Sequence, residues 1–290
     1  MKNHITWLVC WLACGHFSLA QEQVSVEVLI EGERYLANEV LEARVRVTNH
    51  SGQTLHLGQE VDWLTFTVGS YDNKIIARYG EVPVICKMVL ENNERGTLRV
   101  DLAPYFGIDQ PGRYRVIASV NFRELGVVAK SQPVPFDIQK GATMWYQEFG
   151  VPKQPGNGGG PPEVRKYAIQ TASAKYYLRL SDPTDVKVFK VLPLDGAVSY
   201  TTPQTEIDKA GNLHLLYQTG PRSFFYWVID PDGNLRLRQT HVYSDGRAPK
   251  LKKNGSGSPI IENGARKLAP SDLPKADEPA ASPAAKPTAP

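Results

Sequence analysis

The sequence predicts an all-β protein, on three observations. Short runs of alternating apolar and polar residues recur from Val24 onward. Asn, Asp, Gly and Pro separate those runs, and no long stretch keeps a helical spacing of apolar residues. Val24, Val26, Val28 and Ile30 form the first half-buried strand pattern, and Leu41, Ala43, Val45 and Val47 repeat it before the turn Asn49-His50-Ser51-Gly52. Trp63, Thr65 and Thr67 then share one strand face, with Leu64, Phe66 and Val68 on the other. Leu98, Val100 and Leu102 alternate again, Pro111-Gly112 turns into a strand beginning near Tyr114, and the run from Val134 to Ile138 closes the block. About seven short strands between residues 21 and 140 predict a β-sandwich.

Two stretches in this block, V-R-V-T-N-H-S-G from Val45 and P-G-R-Y-R-V from Pro111, resemble bacterial immunoglobulin-like domains. The resemblance implies structural roles for three residues. Tyr114 would be the corner tyrosine that bonds back to nearby backbone, with Gly112 in the turn before it. Trp63 would be the core tryptophan of the third strand. Val116 stands where an antibody-type domain has its second cysteine. This fold hosts many activities, so the resemblance implies architecture and no function.

Residues 141–163 predict a lead-in strand, GATMWYQEF, and then a Gly/Pro-rich linker. Gly156 to Gly160 superficially suggests a phosphate loop, but Pro161-Pro162 follow where Lys-Ser/Thr and a helix are required. Residues 164–264 predict a second, small antiparallel β domain, rich in aromatic and β-branched residues. Within it Ile207-Asp208-Lys209-Ala210-Gly211-Asn212-Leu213 is echoed by Ile229-Asp230-Pro231-Asp232-Gly233-Asn234-Leu235. Asp230, Asp232 and Asn234 alternate like the opening of a calcium loop, but Leu235 and His241 stand where that loop needs Gly and Glu. Asp232-Gly233 is a hairpin signal, so both residues are expected to shape a turn. Sliding the chain by 37 residues lays Lys175–Ser199 on Asn212–Arg236 as strand, break, strand, Asp-Gly turn. That pattern resembles two β-propeller blades. It implies that the first copy enters a unit and the second is the hairpin inside it.

The two ends differ from the rest. Met1-Lys2-Asn3-His4, an apolar stretch and Ser18-x-Ala20 predict a secretory signal peptide over residues 1–20, cleaved after Ala20. Cys14 as a lipidated residue is the alternative, on a poor match. Residues 265–290, built of Pro, Ala, Lys, Asp and Ser without an aromatic, predict a disordered tail. No later run is long enough to span a membrane. Cys86, in the apolar run VPVICKMVL, is expected to be a buried free thiol.

The residue types leave little for catalysis. The formal net charge of +3 makes no case for nucleic acid. The histidines have no metal-ligand spacing and no nucleophile motif is present, so no catalytic, cofactor or metal residue is assigned. The remaining candidates form a binding surface on the second domain: Tyr177, Phe225 and Trp227 from its aromatic runs, and His214, which alternates with Leu213 and Leu215. The expectation is an exported, periplasmic or extracellular, non-enzymatic protein that binds or scaffolds a protein or polysaccharide at the cell envelope. The alternatives are a structural envelope component using its proline-rich tail and an extracellular hydrolase of a polymer. None of these features sets the oligomeric state.

Overall fold

A computed structural model describes residues 23–72, 74–84, 86–151 and 163–268. The leader, the Gly-rich run and nearly all of the tail lie outside the described residues. The protein is all-β, with several antiparallel sheets and no closed barrel. No described helix is long and apolar enough to cross a membrane.

The first domain contains β1 (Val24–Ile30), β2 (Arg34–Leu36), β3 (Glu42–Asn49), β4 (Leu55–Leu57), β5 (Leu64–Ser70), β6 (Met88–Leu90), β7 (Arg95–Asp101), β8 (Gly112–Phe122), β9 (Val127–Lys130) and β10 (Val134–Gln139). One sheet runs β1-β3-β7; the other runs β2-β10-β8-β5, with β9 also on β8, and β4 pairs β6. The alternation explains the layering. Val24, Val26 and Val28, with Ala43, Val45 and Val47, enter one core with Phe66, Val116, Ala118 and Phe136 of the other sheet. Every pairing is antiparallel except β10 with β2.

Tyr114 is buried, and its hydroxyl donates to the Gln110 carbonyl at 2.7 Å while its ring stacks on Phe136. Trp63 directly precedes β5, is buried, and donates its indole N–H to the Val84 carbonyl at 3.2 Å. Gly112 opens β8 without a left-handed backbone, and a Cβ there would meet the Tyr114 ring at an ordinary 3.5 Å. Cys86 departs from expectation. It precedes β6, outside any strand, and is partly exposed, because only Met88–Leu90 of that apolar run pairs.

The second domain contains β11 (Ala142–Gly150), β12 (Val164–Ala172), β13 (Lys175–Ser181), β14 (Val188–Pro193), β15 (Gln204–Ile207), β16 (Leu213–Gly220), β17 (Ser223–Ile229), β18 (Leu235–Tyr243), β19 (Lys250–Lys253), β20 (Pro259–Glu262) and β21 (Gly264–Lys267). Strands β11 to β14 form one antiparallel meander, and β15 to β18 form another that β21 extends. The lead-in strand therefore belongs to this domain. The strands also continue past the expected start of the tail, since Ala265–Lys267 pair with β18.

The meanders share a core of Phe149, Tyr167 and Leu178 from one and Leu215, Trp227 and Ile229 from the other. Each remaining face is covered by the same chain. On the second meander Leu251 of the β19-β20 hairpin covers Leu216, Phe224 and Tyr226. On the first, Leu36 of the other domain packs on Tyr177 and Val191. The two units stand as a capped sandwich.

Candidate functional site

The repeated Asp-Gly stretches close hairpins at β15-β16 and β17-β18, so the first copy lies inside a unit and does not enter one. Asp230 is buried, and its carboxylate accepts the N–H groups of Asp232 at 3.0 Å and Asn234 at 2.8 Å, the Asn234 amide at 3.1 Å and Arg236 at 2.7 Å. Asp208 does the same with Ala210, Asn212 and His214. Burial works against both carboxylates, but these hydrogen bonds prevail and hold their pKa values below the usual range. The lone pairs that a cation would need are directed into the turn.

A third copy, Asp182-Pro183-Thr184-Asp185, closes β13-β14. Asp182 accepts the Lys187 N–H at 2.8 Å, and Asp185 takes the positive φ of 61° that Gly233 takes at 82°. Asp182 and Asp230 lie 48 residues apart, each between the third and fourth strands of its meander. The unit therefore repeats at 48 residues. The expected shift of 37 lays the third strand of one unit on the second strand of the next, because any two adjacent strands of a meander look alike in alternation. Gly233 is required: a Cβ there would lie 2.9 Å from the Lys190 Cβ. Asp232 is bound by Arg165 at 2.8 Å, which ties this turn to β12.

The four candidate binding residues separate. Tyr177 is not surface: it is 3% exposed, sealed by Leu36 and Val191, and burial beside Glu39 pushes its pKa up to about 12. The seam around it is polar at its rim, where Arg34 donates to Ser173, Ser173 to Gln139, and Arg179 to the Ala37 carbonyl. His214 is also held in place, with Nδ1 2.6 Å from the Tyr226 hydroxyl and Nε2 3.2 Å from Asp208. It lies on the face that the hairpin covers, largely out of solvent.

Phe225 and Trp227 stay together on the opposite face of the same meander. Cross-strand register places Phe225 beside Tyr217, and Trp227 between Leu215 and Arg238. Trp227 is buried and Phe225 is half-buried. The exposed Arg238 guanidinium lies 4.4 Å above the Phe225 ring and 5.8 Å above Trp227. Tyr217 meets both rings edge-on, at 5.9 Å and 5.4 Å. Its hydroxyl and the Trp227 indole N–H are buried without a hydrogen-bond partner among the described residues. Burial raises the Tyr217 pKa, opposed by nearby Arg238 and reinforced by Asp195. Sequence reasoning missed Tyr217 and Arg238. The available signal was hairpin register, which sets each of them opposite a chosen aromatic.

No protein-family model and no curated protein matches this chain. Among solved structures it is similar to the sporulation control protein Spo0M of Bacillus subtilis, at 8% identity and a TM-score of 0.32, over 68% of this chain and 80% of that one. A likeness at that score bears on neither fold nor function.

Proposed function

We propose that the protein is an exported, non-catalytic binding or scaffolding component of the cell envelope, and that the second domain contacts its protein or polysaccharide partner through the Phe225–Arg238 patch. The observation that carries this reading is the position of that patch. It sits at the rim of the core that the two meanders share, where the half-buried Phe225 ring is roofed by an exposed cation, on a domain whose other apolar faces are sealed by the hairpin and the first domain. Aromatic and arginine side chains dominate binding surfaces, since they combine large contact area with directed hydrogen bonds. A glycoside hydrolase of the two-carboxyl kind would use one carboxyl held neutral as its acid. Glu39 has its pKa raised by burial, but its carboxylate is engaged by the Leu36 N–H at 2.8 Å near the domain seam.

The test is retention of the mature chain on isolated envelope fractions, treated with protease or left intact. Wild type should be retained, and Arg238→Ala should lose most of that retention while keeping the wild-type melting temperature; Phe225→Ala, which also loses packing on the core, should lose it at a temperature where the variant is still folded. Equal retention of all three proteins would refute the assignment of the patch. N-terminal sequencing of secreted material should begin at Gln21; an uncleaved Met1 or a lipidated Cys14 would refute export by this leader. Turnover of any dye-labelled polymer by the purified protein would refute the non-catalytic reading.

A further inference from the structure

We propose that Tyr217, Phe225, Trp227 and Arg238 form a subsite for a hexuronic-acid unit of an acidic polysaccharide, with Arg238 as its movable cover. This rests on the patch being a binding surface and names what it binds. Three other buried tyrosines have partners: Tyr114 donates to Gln110, Tyr167 to the Asp230 carbonyl and Tyr176 to the Ser199 carbonyl. Among the described residues four buried polar side-chain atoms lack a partner, Arg46 Nε, His241 Nδ1, Tyr217 Oη and Trp227 Nε1, and the last two occur together, with their rings 5.4 Å apart. An unsatisfied buried donor destabilises the fold, and two in one cluster call for an explanation other than stability.

Arg238 is exposed and forms no ion pair with the described residues; ring stacking is what holds it. The guanidinium lies over the half-buried Phe225 ring at 4.4 Å and stands 5.8 Å from the Trp227 ring at the rim of the core, so movement of that one side chain opens the Phe225 face without moving a strand.

A guanidinium, an indole N–H and a phenol O–H are all donors toward a ligand that supplies acceptors. Guanidinium binds carboxylate in a two-pronged manner, and a flat aromatic ring suits the C–H face of a pyranose. A hexuronic acid offers a carboxylate, ring hydroxyls and that flat face on one unit. An acidic peptide side chain offers the carboxylate alone.

The probes are polygalacturonate, a neutral dextran and polyglutamate, measured by calorimetry on the mature chain at low and moderate salt. Polygalacturonate should bind, more weakly as salt rises, and the other two should not. Tyr217→Phe keeps the ring and removes one orphan, so it should melt no lower than wild type while losing about tenfold in affinity, the worth of one hydrogen bond to a charged group. Arg238→Gln should abolish binding. Equal binding of polyglutamate would overturn the sugar assignment in favour of an acidic peptide, with the patch retained. Envelope retention that depends on Phe225 but no binding of polygalacturonate would overturn the acidic-sugar inference alone. If Tyr217→Phe binds polygalacturonate as wild type does, the buried donors take no part and the subsite falls.

Discussion

Replacing Asp230 with alanine removes the organising group of the β17-β18 hairpin. The carboxylate is buried and accepts two backbone N–H groups, at 3.0 and 2.8 Å, the Asn234 amide at 3.1 Å, and Arg236 at 2.7 Å. Hydrogen bonds to a charged group contribute about 1.5–3 kcal/mol each, but water reaches this surface turn and replaces part of what is lost. Arg236 is two-thirds exposed, so that ion pair adds well under about 1 kcal/mol. Asp230→Ala should therefore cost about 3 kcal/mol. The assay is urea unfolding, in which the midpoint should fall with the slope unchanged. The pH dependence follows from the lowered pKa of Asp230. Because the folded value lies below the unfolded one, near 3.9, the stabilisation is fully present above about pH 5 and is lost as pH falls through the folded pKa. Wild type should lose stability steeply below about pH 4, and the variant less steeply. A cost under about 0.5 kcal/mol would refute the reasoning, because that is the effect of an ordinary surface substitution. A calcium-dependent rise in stability that Asp230→Ala removes would show that the carboxylate serves a cation.

Gly233→Ala should cost about 2–3 kcal/mol by denaturation, from the left-handed backbone and the 2.9 Å approach to Lys190. Gly112→Ala, by contrast, should be nearly silent, since its Cβ meets only ordinary contact. Tyr177→Ala should cost about 3–5 kcal/mol and broaden the small-angle scattering profile as the two domains decouple; an unchanged profile would show that the seam does not depend on it. Tyr114→Phe should cost about 1 kcal/mol in melts, the net worth of its bond to Gln110.

The fold class was legible because alternation is a local property: Val24 to Ile30 or Leu213 to Leu216 indicate a strand whatever lies around them. The third Asp turn was not legible. Asp185 takes the left-handed conformation that a glycine advertises, and Lys187 supplies an N–H that any residue could supply, so neither leaves a compositional trace. The candidate surface residues were legible only in part. Alternation puts Tyr176 and Tyr177 on opposite faces, but which face stays wet depends on Leu36, far away in the chain, and on a hairpin at residues 250–262. Arg238 was overlooked because a surface arginine on a polar strand stands out only once register sets it above Trp227.

The seam around Tyr177 also bears on how the protein meets a partner. A tethered pair of domains samples many separations, and the second contact of a two-point partner forms at an effective concentration set by the linker. Here Leu36 packs on Tyr177 and Val191 while Arg34 and Arg179 donate across the same seam, which narrows the range of separations the two bodies sample. A partner of the kind proposed that touched the first domain as well as the Arg238 patch would gain most avidity when its two contact points matched that restrained spacing, so the seam would favour partners of one dimension.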